Sequence, residues 1–244
     1  MSYFVEATCI CNRGSLRCNN EDNFFFNGTI RNEINSIEET SLEMKEAKSR
    51  LSYFAVFDGM GGEANGEFAS FASAKSFMEI VNRASETPEK LCQIMNSAVC
   101  AEASNRKSRY MGTTVAMLSV DGEIAQSCNV GDSRVYLFRN RKLQQLSEDH
   151  VDYRRNGKKG SLTQYLGIPE DEMLIEPCII STQICSGDVF LLCSDGLSDM
   201  VGDEEICAVL RENGDMERLS RMLIGKALEN GGKDNTTLIL LKIR

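Results

Sequence analysis

Two segments constrain this chain more than any others. Phe54-Ala-Val-Phe-Asp58-Gly59 and Phe190-Leu-Leu-Cys-Ser-Asp195-Gly196 each run an apolar stretch into an aspartate followed by glycine. Each reads as a buried strand that delivers a carboxylate to a loop, where glycine lets a backbone carbonyl approach an ion closely. One Asp-Gly pair after a strand is a turn signal. Two of them, with further acids at strand-edge turns (Glu21-Asp22, Asp132, Asp199 and Asp234), raise the prospect of a carboxylate cluster. If these groups converge they cannot all ionise near neutrality without cations, because like charges at hydrogen-bonding distance raise each other's pKa. Oxygen ligands without histidine or paired thiolates select hard ions, Mg²⁺ or Mn²⁺ ahead of Ca²⁺.

The rest of the pattern predicts an α+β fold. Strands are expected at Tyr3 to Cys11, Asn23 to Asn27, Ser52 to Asp58, Asp188 to Cys193 and Thr237 to Ile243. A meander is expected over Thr113 to Val120, Ile124 to Val130, Val135 to Arg139 and Lys142 to Leu146, turning at Asp121-Gly122 and Asn140-Arg141. Helical spacing marks Glu67 to Val81, through Phe68, Phe71, Ala72, Met78 and Val81, and a helix capped by Thr87-Pro88 with the stripe Leu91, Ile94, Met95, Ala98 and Val99. A further helix, Met216 to Leu228, stops at Gly231-Gly232. Blocks of strands alternating with blocks of helices, without a βαβ rhythm, favour layers over a doubly wound sheet. Residues 31–50 read as a polar insertion with some helical character. With 244 residues and 42% hydrophobic content, one domain over 1–244 is the natural expectation.

A net charge of −9 argues against nucleic acid as partner. No apolar run nears the ~20 residues needed to span a bilayer. The N-terminus shows no secretory pattern, and ten cysteines without a Cys-x-x-Cys pair read as reduced thiols, so a cytoplasmic location is expected. The single histidine, His150, weakens any Ser/His/Asp or Cys/His scheme and reads as a structural hydrogen-bonding side chain.

These residues resemble the metal-dependent protein phosphatases (PPM, or type 2C, acting on serine and threonine), most closely their bacterial branch. The likeness runs in order through Arg17-x-x-Asn20-Glu21-Asp22, Val56-Phe-Asp-Gly-Met-Gly-Gly62, Met111-Gly-Thr-Thr114, Asn129-Val-Gly-Asp-Ser-Arg-Val-Tyr136, Asp149-His150 and Leu162-Thr-Gln-Tyr-Leu-Gly167. It continues through Gly187-Asp-Val-Phe-Leu-Leu-Cys-Ser-Asp-Gly-Leu-Ser-Asp199 and Asp234-Asn235-Thr-Thr237. The resemblance implies a four-layer α/β/β/α sandwich of two mostly antiparallel sheets. It implies that Asp58 bridges two metal ions, with Asp22, Asp195, Asp234 and the Gly59 carbonyl completing their shells and Glu21 holding metal-bound water. Asp132 and Asp199 match third-metal positions, Arg17 matches the phosphate-binding arginine, and Asn235 either orients Asp234 or caps a turn. The implied reaction is hydrolysis of phosphoserine and phosphothreonine in proteins, opposing a bacterial Ser/Thr kinase, with Mn²⁺ or Mg²⁺ as cofactor. The alternative is a catalytically silent module of the same fold that binds phosphoproteins.

Three positions depart from that family's pattern. Met60 stands where many eukaryotic members have a histidine that can protonate the leaving alkoxide, which leaves a metal-bound water for that role. The flap is shortened to Val151–Ser161, and its basic loop, Tyr153 to Lys159, reads as solvated in preference to touching a phosphopeptide. Gln164 replaces an arginine.

Other phosphate motifs fail on this sequence. Cys11 and Arg17 have the spacing of a cysteine-phosphatase loop, but Cys100/Arg106 and Cys128/Arg134 share it. Gly59-x-Gly61-x-x-Ala64 imitates a dinucleotide fingerprint but is followed by two helices instead of a second parallel strand. Gly232-Lys233 lacks the Ser or Thr of a Walker motif.

Overall fold

The computed structural model describes residues 3–32, 38–44, 51–60, 65–83, 86–108, 111–153 and 159–244. Two six-stranded sheets, antiparallel at every pairing, form the centre. The first runs in the order β11 (Lys142–Gln145), β10 (Arg134–Arg139), β15 (Val189–Cys193), β16 (Thr236–Ile243), β1 (Val5–Asn12) and β4 (Thr40–Met44). The second runs β14 (Cys178–Gln183), β9 (Ile124–Val130), β8 (Val115–Asp121), β5 (Leu51–Phe57), β2 (Asn23–Phe26) and β3 (Thr29–Ile30). Two small pairs stand outside them: β6 (Gly59–Met60) with β7 (Gly112–Thr113), and β12 (Val151–Tyr153) with β13 (Lys159–Leu162).

Period-two alternation sorts the strand side chains into three cores. On β5, Phe54 and Val56 point between the sheets while Ala55 and Phe57 face helices α1 (Gly66–Val81) and α2 (Pro88–Arg106). On β15, Phe190 and Leu192 meet them from the other sheet, while Val189, Leu191 and Cys193 face α3 (Asp195–Ser198), α4 (Asp203–Leu210) and α5 (Met216–Glu229). The result is the expected four-layer sandwich. Because both strands carry apolar residues on both faces, neither reads as a half-buried alternating strand.

Local chemistry ends the elements where expected. Thr87 caps α2 by accepting the Lys90 amide at 3.4 Å, with Pro88 in the first turn, and Asp215 caps α5 by accepting the Arg218 amide at 2.8 Å. Asn140 and Arg141 both adopt positive φ, 52° and 63°, which gives the β10–β11 hairpin the twist its strands need. Gly231 at φ 119° ends the turn after α5.

Three expectations are corrected. The meander divides between the sheets, with β9 paired to β8 and β14 and β10 to β11 and β15. Within 31–50, the segment expected to have helical character contains strand β4, which pairs along β1 with Leu42 and Met44 packed on the inter-sheet core; residues 33–37 and 45–50 lie outside the described residues. The reason is physical: the outer edge of β1 offers unpaired amides and carbonyls that a neighbouring chain segment satisfies by adding a strand. On α1, the face against the sheet is made of small residues, Ala69, Ser70, Ser73 and Ala74, with Phe77, while the large apolar residues Phe68 and Phe71 are only partly buried. Small side chains let the helix seat closely on the sheet end where β6 and β7 lie.

Phe77 anchors that seat, with ring centroids 5.1 Å from Phe25, 5.8 Å from Tyr53 and 6.2 Å from Phe57, all edge-on. Phe77→Ala is expected to cost about 3–5 kcal/mol of stability in urea unfolding, because the rings around it cannot collapse into the space. A cost under about 1 kcal/mol contradicts this packing.

Candidate active site

The carboxylates converge at one end of the sandwich. Arg17, Glu21, Asp58, Gly59, Asp132, Asp195, Asp199 and Asp234 line one open pocket of about 560 Å³, together with Met60, Thr114, Lys159, Gly160 and Leu162. Asp22 lies beneath it, fully enclosed. Every predicted site residue thus reaches this end of the fold, with Asn235 behind the rim.

Backbone and hydroxyl anchors hold the loops of Asp58, Asp22, Glu21 and Asp234. The Asp58 carbonyl accepts the Thr114 amide at 2.9 Å and the Thr113 hydroxyl at 2.8 Å, and the Asp58 amide donates to the Thr114 hydroxyl at 3.1 Å. The Thr114 hydroxyl also meets that of Ser133 at 2.6 Å. Met111 to Thr114, to which the sequence assigned no chemistry, therefore clamps the backbone of Asp58. Ser194 donates its hydroxyl to Asp22 at 2.8 Å while accepting the Thr237 amide at 2.9 Å, so the central strand β16 aligns the Asp22 carboxylate. Asn235 accepts the Glu21 amide at 2.8 Å and donates to the carbonyls of Arg13 and Asn19, at 2.8 and 2.9 Å. It is therefore a loop tie, while the Asp234 carboxylate accepts its amide at 2.8 Å. Arg31, buried, donates to the carbonyls of Asn20 and Asp22, both at 2.9 Å, and no sequence motif marked it. Glycine is required beside Asp58: a Cβ on Gly59 would lie 2.2 Å from the Gly66 carbonyl oxygen and 2.4 Å from that of Glu21.

Crowding shows in the electrostatics. Burial pushes Asp22 up to about 7, helped by Asp234 and Asp195 against the Ser194 hydrogen bond. Burial and Glu67 raise Glu21 to about 7. Desolvation, then Asp22, Asp195, Asp132 and Asp234, raise Asp58 well above the usual carboxylate range, and Asp132 is raised by burial and Asp195. The protein's own cations answer part of this charge. Arg17 donates to Asp234 at 2.6 Å with its guanidinium half-exposed at the mouth. Lys159 places its ammonium 2.8 Å from Asp132, 2.7 Å from Asp195 and 3.1 Å from Asp199. The reading of this basic segment as solvated is corrected for Lys159; residues 154–158 lie outside the described residues.

The residues suit a pair of hard cations. Asp22 Oδ1 is buried without a hydrogen-bond partner, and the candidate donors are all oxygens. Among the described residues no three Asp, Glu, His or Cys side chains already stand close enough together to hold an ion.

The remaining motif residues brace the site. Arg134 forks onto Asp149 (Nε 2.9 and 3.0 Å, Nη2 2.6 Å) and donates to the Tyr136 hydroxyl at 2.8 Å, which donates on to Asp203 at 2.9 Å. His150 Nδ1 accepts the Gly131 amide at 3.1 Å, the structural role expected of it. Gln164 accepts the Glu176 amide at 2.9 Å and so pins the loop before β14. Cys11 is buried, receives the Thr237 hydroxyl at 3.1 Å, and burial lifts its thiol to about 11, far from a reactive thiolate. The Gly61 and Ala64 positions of the dinucleotide pattern lie outside the described residues.

A double-sheet sandwich carrying an oxygen-only cluster at one end is the architecture of the PP2C-type phosphatases, whose solved structures this chain matches. The chain belongs to the protein phosphatase 2C family, whose model matches residues 27–159 and 152–236. It is 30% identical to the serine/threonine protein phosphatase PstP of Mycobacterium tuberculosis over 95% of its own length and 43% of that protein, so it spans under half of that relative. With the serine/threonine phosphatase Stp of Listeria monocytogenes it shares 29% identity over 94% of its length and 92% of that chain. The solved catalytic domain of PstP, in complex with two manganese ions, superposes with a TM-score of 0.77 at 27% identity, covering 99% of both chains.

The raised carboxyls have a consequence for stability. Their folded-state values lie above the unfolded values near 4, so the folded state binds more protons between about pH 4 and pH 7. Stability of the metal-stripped protein is therefore greatest at the acid end and is lost as pH rises through 7. Its Tm should fall between about pH 5 and pH 8, at about 2–4 °C per kcal/mol. The fall should be shallower in Asp22→Asn, and Mn²⁺ should raise Tm more at the alkaline end. A Tm that is flat or rises with pH in the metal-stripped parent contradicts the crowding.

Proposed function

We propose that residues 1–244 form one phosphatase domain that hydrolyses phosphoserine and phosphothreonine in proteins, opposing a Ser/Thr kinase. The observation that carries this reading is the convergence of Asp22, Asp58, Asp195 and Asp234 on one pocket with Arg17 at its mouth. Asp58, Asp22, Asp195, Asp234 and the Gly59 carbonyl would hold two Mn²⁺ or Mg²⁺ ions here. When bound, such an ion pair lowers the pKa of water to supply a nucleophile near neutrality and neutralises phosphoryl oxygens.

The chain's own groups do the rest. Arg17 offers a planar fork matched to two phosphate oxygens, which lysine does not reproduce. Asp234 holds that fork in place, at 2.6 Å, before substrate arrives. Glu21, which lines the pocket, would accept hydrogen bonds from water held there. Met60 lines the pocket without a proton to give, so the leaving alkoxide takes its proton from water. The pocket is open and polar, suited to a side chain displayed on a protein surface, and specificity is left to contacts around it.

The ten cysteines are all free thiols, which supports a reducing compartment and hence a cytoplasmic site of action. Among the described residues no helix is long and apolar enough to cross a membrane. The silent-module reading requires losses among the carboxylates, and none is lost.

The test is phosphate release from a phosphothreonine peptide by metal-stripped protein given Mn²⁺ or Mg²⁺. Asp58→Asn is expected to lower turnover at least about 100-fold, about 2.7 kcal/mol, with its fold intact. Parent-like turnover in that variant, or turnover by the parent in chelator, overturns the reading.

A further inference from the structure

Among the described residues, the cation that meets three of the acids comes from the flap. Lys159, the first residue of β13, reaches the loop between β9 and β10 at Asp132 and both ends of the short α3 at Asp195 and Asp199. An ammonium has three N–H donors and no acceptor, and here three carboxylates stand at 2.8, 2.7 and 3.1 Å from it. Those are distances of charge-assisted hydrogen bonds. The geometry is that of an ammonium seat.

The approach is preorganised. Thr163, just beyond β13, donates its amide to the His150 carbonyl at 2.9 Å, and His150 is tied through Nδ1 to Gly131, next to Asp132. The strand bearing the ammonium and one acid it meets are thus anchored to the same loop. Gly160 lets the hairpin close: a Cβ there would lie 2.1 Å from the Asp152 carbonyl oxygen.

Charge points the same way. Six aspartates face this end of the fold: Asp22, Asp58, Asp132, Asp195, Asp199 and Asp234. Two divalent ions with Lys159 and Arg17 supply six positive charges to these six aspartates and Glu21. Asp132 and Asp199, the pair expected at a third-metal position, are then already served.

Resting on the two-ion reading above, we propose that Lys159 is a tethered cation that fills the third-ion position of this chain, tying β13 to the site. The resting protein then takes up two divalent ions, and the third place opens only when the ammonium is removed.

The test is a titration of the metal-stripped full chain with Mn²⁺, with free Mn²⁺ read by electron paramagnetic resonance, beside Lys159→Met. The parent is expected to bind two ions and the variant three. Thermal melting in chelator gives a second readout: Lys159→Met should melt below the parent, since three carboxylates lose their counter-charge, while Lys142→Met, at an exposed position, should not. Three ions in the parent, or two in both with equal melting, overturns the proposal. A parent that binds no Mn²⁺ and releases no phosphate defeats the phosphatase reading instead. The melting difference in chelator still decides whether Lys159 answers the acids.

Discussion

Repulsion between carboxylates is the constraint around which this molecule is arranged. Asp22, Asp58, Asp195 and Asp234 come from four separate places in the chain, and nothing in their own chemistry favours meeting. The sandwich forces the meeting by delivering β5 and β15 to the same edge from opposite sheets, with Asp58 and Asp195 just past their last buried residues. Three of them are held by neutral groups, Thr113 and Thr114 on the Asp58 backbone, Ser194 on the Asp22 carboxylate and the Asn235 amide on Asp234, while Asp195 meets the Lys159 ammonium. Neutral anchors position the charge without cancelling it, so the cluster keeps a demand for cations.

That demand explains features that otherwise look unrelated. Arg17 is held at the mouth by Asp234, Lys159 is drawn in from the flap, and Asp22 keeps an unpartnered oxygen below. The outer motif residues, Asp149, Arg134, Tyr136 and Asp203, form a hydrogen-bonded chain that stiffens the loop carrying Asp132.

Much of this was legible in the sequence, for identifiable reasons. Asp58 and Asp195 could be read because an apolar run followed by Asp-Gly is a strong local signal for a strand delivering a carboxylate. Thr87-Pro88 and Asn140-Arg141 marked a cap and a turn through backbone chemistry that needs no partner. What escaped depended on distant contacts. Strand β4 is five residues of Thr, Ser, Leu, Glu and Met, too short and polar for its alternation to stand out, and it is a strand because β1 offers it an edge. Lys159 looks like any lysine in a basic loop until Asp132, Asp195 and Asp199 are brought around it. Arg31 and Ser194 act through backbone carbonyls and a hydroxyl, which leave no spacing to recognise.

The central claim is that the cluster is protonated when metal-free and gives up protons to divalent ions. Calorimetric titration of the metal-stripped chain with Mn²⁺, in buffers of differing ionisation enthalpy at about pH 6 and about pH 8, measures this directly. The account predicts net proton release at the lower pH, little at the higher, and tighter binding as pH rises through 7. Binding of equal strength at both, with no proton released at either, would contradict it.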